Sequence, residues 1–161
     1  MSAATLHAQD LGTPRKLWWL NIGAGFSSGV EPGLPGIGLG LSYKHNPGLF
    51  SLRTAYFEEF QICLFGGCGN PDRAWDAGAL YGVITKSRTT FASASAGIGL
   101  AGGRRGGEKS FTTVGIPLET QLFVTPFRHA NVGFGLYGLG DINPKKSFWG
   151  ALFCLQVGRL K

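Results

Sequence analysis

A chain of 161 residues with 27 glycines, 43% hydrophobic and only 15% charged residues is sized for one domain, yet it does not have the composition of an ordinary soluble one. Its 12% aromatic content excludes a disordered tail, its glycines follow no collagen triplet, and no apolar run approaches the roughly 20 residues of a transmembrane helix. The net charge of +6 is scattered along the chain, which argues against the concentrated basic face of a nucleic-acid binder.

Residues 1–15 read as a leader remnant or disordered N-terminus. Leu6-His7-Ala8 ahead of Gln9-Asp10 has the form of a weak export-cleavage site, and an exported protein needs such a signal. From residue 16 onward, apolar side chains recur at every second position, the period of a strand with two unlike faces. In 16–28, Trp18, Leu20, Ile22, Ala24 and Phe26 oppose Trp19, Asn21, Gly23, Gly25 and Ser27. In 36–45, Ile37, Leu39, Leu41 and Tyr43 oppose Gly38, Gly40, Ser42 and Lys44. In 49–61, Phe50, Leu52, Thr54, Tyr56 and Phe60 oppose Ser51, Arg53, Ala55, Phe57, Glu59 and Gln61.

The same alternation gives apolar faces at Ala77, Ala79, Tyr81 and Val83 in 76–86, and at Ala92, Ala94, Ala96, Ile98 and Leu100 in 90–101. In 111–125 the apolar face is Val114, Ile116, Leu118, Leu122 and Val124, against Glu119 and Gln121. In 131–139 it is Val132, Phe134 and Leu136, against Gly133, Gly135 and Tyr137. In 148–159 it is Trp149, Ala151, Phe153, Leu155 and Val157, against Gly150, Cys154, Gln156 and Gly158. These eight segments predict an all-β, eight-stranded antiparallel up-and-down transmembrane β-barrel, a meander occupying residues 16–161.

Turn chemistry falls between the segments. The linkers 27–35, 62–75 and 102–109 are glycine- or proline-rich or long, while His45-Asn46-Pro47-Gly48, 87–89 and 126–129 are short. A barrel with both ends on the periplasmic side requires that alternation, although 141–146 is short for an external loop. Trp18, Tyr43 and Phe50 fall near one set of segment ends, and Phe26, Phe60 and Trp149 near the other, as interfacial aromatic girdles do.

Gly115-Ile116-Pro117-Leu118-Glu119-Thr120-Gln121-Leu122-Phe123 and the closing Gly150-Ala151-Leu152-Phe153-Cys154-Leu155-Gln156-Val157-Gly158-Arg159-Leu160 resemble small outer-membrane β-barrel proteins of the Bacteroidetes, an OmpA/OmpX-like type. The resemblance is close over the C-terminal third and general elsewhere. It implies an eight-stranded barrel in the bacterial outer membrane, partnered by outer-membrane lipid and by the barrel-assembly machinery, and it implies no particular activity. Assembly signals of such barrels commonly end on an aromatic residue, so here Phe153 or Leu155 is expected to carry that role.

The polar face supplies a lumen network of Arg53, Glu59, Glu119, Gln121 and Gln156, with Asn21 and Lys44. An eight-stranded barrel is only wide enough for side chains to fill it, so this set reads as a polar plug and not as a pore or a catalytic pair. Buried charges need partners, and Arg53 is expected to pair with Glu119 or Glu59, Glu119 being reached across the lumen. His7, His45 and His129 lie in the leader or in turns; His129 has no obvious serine partner and His45 falls on the periplasmic side, away from the outer leaflet where a lipid-cleaving site would work. Cys63 and Cys68 bracket two glycines and are expected to form a disulfide in the longest external loop, whereas Cys154 reads as an inert inward side chain. No metal site and no cofactor are expected, and Gly38-Leu39-Gly40 and Gly97-Ile98-Gly99 lie inside strands where no phosphate loop fits.

The function expected is that of an integral outer-membrane barrel, structural or displaying interaction loops. Two alternatives stay open: a soluble up-and-down barrel holding a small hydrophobic ligand, and a lipid-modifying membrane enzyme. Leu20, Leu39, Leu52, Leu118, Leu136 and Leu155 decide between membrane and soluble readings by pointing out or in.

Overall fold

Strict alternation leaves each strand with one apolar and one polar or small face, and a sheet of such strands can hide its polar face only by curling shut. The computed structural model describes residues 17–28, 33–45, 48–59, 71–87, 89–105, 108–126 and 131–159. They form β1 (Leu17–Ser28), β2 (Leu34–His45), β3 (Gly48–Glu58), β4 (Arg73–Lys86), β5 (Thr90–Arg104), β6 (Phe111–Val124), β7 (Val132–Ile142) and β8 (Phe148–Arg159). Each strand pairs antiparallel with the next and β8 pairs with β1, closing the eight-stranded barrel.

The strands are staggered. Directly opposed residues run Leu17, Lys44, Leu49, Gly82, Ser95, Glu119, Leu139 and Gly150, and the path re-enters β1 at Ser27, the opposite end of the strand from Leu17. The strands are therefore tilted, and side chains far apart in register come level across the lumen. Pro117 interrupts the β5–β6 ladder, which pairs Ala96 with Leu118 and resumes at Gly99 with Gly115. Proline has no N–H to donate, and its ring fills the inner space that Gly78 leaves open.

The expected faces are the observed ones. Leu39, Leu52, Leu118, Leu136 and Leu155 are exposed on the outer surface and Leu20 is half-buried there, flanked by Leu41 and Val157. Ile98 at 69% and Val83 at 67% mark how far large apolar side chains stand out. Inside, small residues make room for large ones. Gly36 and Gly150 border the Phe57 ring, and Gly38 lies under Leu152.

Several strand ends differ from the sequence reading: β2 begins at Leu34 rather than 36, β3 ends at Glu58 rather than 61, and β5 continues to Arg104 rather than 101. β4 begins at Arg73 rather than 76, and β7 continues to Ile142 rather than stopping at 139. In both cases a polar residue near the strand end is drawn inward by partners that local alternation does not reveal. Residues 1–15, His7, His129, Phe60, Gln61, Cys63 and Cys68 lie outside the described residues, and with them the expected leader and disulfide.

Candidate functional site

The lumen is filled in tiers. At the end where β1 starts and β8 finishes, hereafter the terminal rim, Trp19, Phe91 and Phe123 pack ring against ring, with centroids 5.3 and 5.4 Å apart. Leu17 and Leu49 complete this apolar floor. At the far rim Phe57 meets Phe148 edge-on at 6.2 Å, beside Leu34, Leu139 and Leu152.

A polar layer lies between them. Gln121 is its hub: its carbonyl accepts from Trp19 Nε1 and Asn21 Nδ2, both at 3.2 Å, and its amide donates to Ser42 Oγ at 3.3 Å and Glu119 Oε1 at 2.5 Å. Ser51 donates to the same Glu119 oxygen at 3.2 Å and contacts Ser42 at 3.1 Å, while the Tyr137 hydroxyl donates to Glu119 Oε2. Strands β1, β2 and β3 are thereby tied across the lumen to β6 and β7. The Gln121 amide, the Ser51 hydroxyl and the Tyr137 hydroxyl thus converge on the two carboxylate oxygens of Glu119.

Arg53 does not pair with Glu119. Its guanidinium forms an ion pair with Asp76, and both side chains are shielded from solvent. It also donates to the carbonyls of Leu118 and of Gly140, the latter at 2.8 Å. The reason lies in register. Arg53 stands opposite Gly78, which has no side chain to block it, and Asp76 is the diagonal neighbour opposite Ala55. Arg53 does cross the lumen, but the Glu119 carboxylate is already held by Tyr137, Gln121 and Ser51, and Arg53 finds main-chain oxygens instead.

The other sequence candidates are placed as follows. Gln156 is fully buried on β8 and its amide has no hydrogen-bond partner among the described residues. Glu59 is at the far rim just past β3, where its carboxylate accepts from the Asp72 main-chain N–H at 3.4 Å, so it stands apart from the lumen layer. Lys44 is half-buried at the terminal rim, His45 stacks on Tyr43, and Cys154 is a buried free thiol.

Sequence reading missed Asp76 and Asp141. Asp141 accepts from Asn143 Nδ2 at 2.8 Å, and Asn143 in turn organises the β7–β8 connection by accepting from the Lys145 and Lys146 N–H groups at 3.0 and 2.7 Å. The signal was present: Asp76 has the parity of Gly78 and Leu80, and Asp141 that of Tyr137 and Leu139. Among the described residues no three His, Cys, Asp or Glu side chains come together as a metal centre requires.

This geometry has counterparts among solved structures. The barrel is similar to the crystal structure of Neisserial surface protein A, with TM-score 0.57 and 11% identity over 90% of this chain and 97% of that one. It is similar also to Ail, the attachment invasion locus protein of Yersinia pestis, with TM-score 0.59 and 10% identity over 89% of this chain and 96% of that one. A backbone structure of the outer membrane protein Ail in a phospholipid bilayer nanodisc matches at TM-score 0.54 and 12% identity, over 89% of this chain and 99% of that one. The fold is that of outer-membrane β-barrels. Neither a family model nor a curated protein sequence matches the chain.

Proposed function

We propose that this chain is an integral protein of the bacterial outer membrane, a small OmpA/OmpX-like barrel whose work is done by its external connections and not by its lumen. The observation that carries the reading is the outer surface. Outward positions at mid-strand are mostly apolar, from Ile22 at 53% exposed through Leu52 at 58% to Phe153 at 62%. Soluble proteins seldom expose a continuous apolar surface of this kind, whereas a lipid-facing barrel requires one.

The interior supports the second half of the proposal. Both ends of the lumen carry apolar packing and the middle is cross-tied, which leaves a plug and not a channel. The longest connection, 59–72, leaves the far rim, and short periplasmic turns with longer external loops are the rule in such barrels. On that rule the far rim faces the outside, where attachment-type interactions would be made. The segments at 115–123 and 150–160 favour the Bacteroidetes type within this class.

Fractionation with gel electrophoresis tests the reading. The protein should sediment with outer membrane, resist carbonate extraction, and run as a compact band that shifts on boiling. Recovery in the soluble periplasmic fraction, without a heat-dependent band, would favour the soluble barrel.

A further inference from the structure

At the far rim β6 rises past one of its neighbours. On one flank it is paired with β5 from Val124 to Phe111, apart from the break at Pro117. On the other flank β7 pairs no further than Ile142 opposite Ile116. Residues 111–115 therefore form an edge with a strand on one side and none on the other. The cause is the short β7–β8 connection. Asn143 accepts from the Lys145 and Lys146 N–H groups and donates to Asp141 and the Lys146 carbonyl, which closes the chain between Ile142 and Phe148.

In an antiparallel sheet every second residue turns its N–H and C=O to a given neighbour, so this edge carries unshared main-chain groups. Among the described residues no group of another element bonds to them. The Thr113 hydroxyl donates to the Val114 carbonyl at 3.3 Å, a contact within the strand itself. Natural sheets blunt free edges with lysine, proline, a bulge or a covering segment. Thr112, Thr113 and Val114 are instead uncharged β-branched residues, the types that favour strand pairing.

Two further features lie along the edge. A groove of about 610 Å³ separates Val114, Gly115 and Ile116 from Ile142, Asn143 and Pro144. Lys109 stands exposed at the head of the edge and Lys145 at its foot, with Arg105 exposed in the same hairpin turn as Lys109. Acids are fewer. Glu108 is exposed in that turn, and Asp141 is buried under Gly115, facing the lumen.

We propose that residues 111–115 of β6 take up an extended acidic peptide segment of an external partner as an added antiparallel strand. The inference rests on the reading above that this rim faces outward, and it gives that rim a class of partner. Main-chain bonds to the edge supply affinity, an apolar side chain of the partner lies in the groove, and acidic side chains meet Lys109 and Lys145. An acyl chain fills such a groove but offers nothing to unshared N–H and C=O groups. A second copy in the same membrane, related by an axis along the barrel, presents its β6 parallel to the first, which is the weaker pairing.

The test uses the refolded full chain in detergent micelles, with hydrogen exchange read by NMR. The probe is a synthetic peptide of alternating Thr and Val with Glu at both ends. It should slow exchange of the edge-facing amides within 111–115 and leave the other strands unchanged. An analogue N-methylated at alternate residues should bind about tenfold more weakly or worse, the scale of one or two lost hydrogen bonds. A Lys-ended peptide should also bind more weakly, by a margin that narrows in about 1 M salt, where the screening length falls to ~3 Å. Thr113→Pro and Val114→Pro alter successive residues, so one of them removes an edge-facing N–H and spares the β5 ladder. That variant should keep the heat-shifted band and lose peptide binding. No slowing of exchange in 111–115 at any soluble peptide concentration overturns the proposal, as does equal binding by the N-methylated analogue. Equal binding of the Lys-ended peptide overturns the acidic partner. Slow exchange in 111–115 before peptide is added, lost on dilution, overturns the proposal in favour of pairing between copies. Peptide binding at the edge in a chain without a heat-shifted band upholds the edge and is failure of the membrane reading instead.

Discussion

Arg53 on β3 is ion-paired with Asp76 on the adjacent β4, and the same guanidinium donates to the Gly140 carbonyl on β7 across the lumen. One side chain therefore links neighbouring strands and opposite walls. Both partners are shut off from solvent, so the pair cannot be weakened by screening and neither charge is tolerable alone.

Replacing Asp76 by Ala should strand the guanidinium and cost about 3–5 kcal/mol, whereas Arg53→Met with Asp76→Leu should cost much less. Urea unfolding of the lipid-reconstituted variants measures both. Equal losses from the single and double replacements would show that the pair is not coupled.

Glu119 and Arg53 share no hydrogen bond, and the Glu119 carboxylate depends on Tyr137, Gln121 and Ser51. Glu119→Gln puts an amide donor where three donors converge and should cost about 1–3 kcal/mol. A double-mutant cycle should give a smaller coupling for Arg53 with Glu119 than for Arg53 with Asp76. The reverse ranking would restore the cross-lumen pair expected from sequence.

Leu52 lies mid-strand on β3 and is 58% exposed. On the proposed membrane reading, Leu52→Arg should destabilise by about 2–4 kcal/mol. Glu108→Arg, on the exposed far rim, should be nearly neutral. Heat-shift gels after refolding into vesicles report both. A Leu52→Arg variant as stable as its parent would mean that this face is in water.

The Trp19, Phe91 and Phe123 floor together with Phe57 and Phe148 should keep the barrel closed to ions. Planar bilayers holding the refolded protein should show no steady unitary conductance. A reproducible single-channel step abolished by substitutions in the lumen would identify a pore.

The sequence alone determined which side of the wall each strand residue occupies. Strand periodicity is a property of the backbone, so the parity of Leu39, Leu52 and Leu136 against Asn21, Arg53 and Gln121 could be read without knowing any neighbour. Glycine at inward positions, such as Gly36 beside Phe57, was legible as space for a larger side chain for the same reason. Only the tertiary structure decided who meets whom in the lumen. Closing a tilted sheet carries Leu17 round to Ser27, and that stagger brings Arg53 level with Leu118 and Gly140. It also places Asp76 diagonally beside Arg53 over a glycine, and extends β7 far enough to bring Asp141 inside. Alternation fixes a face, whereas a contact depends on the stagger of eight strands together, and no single strand encodes that stagger.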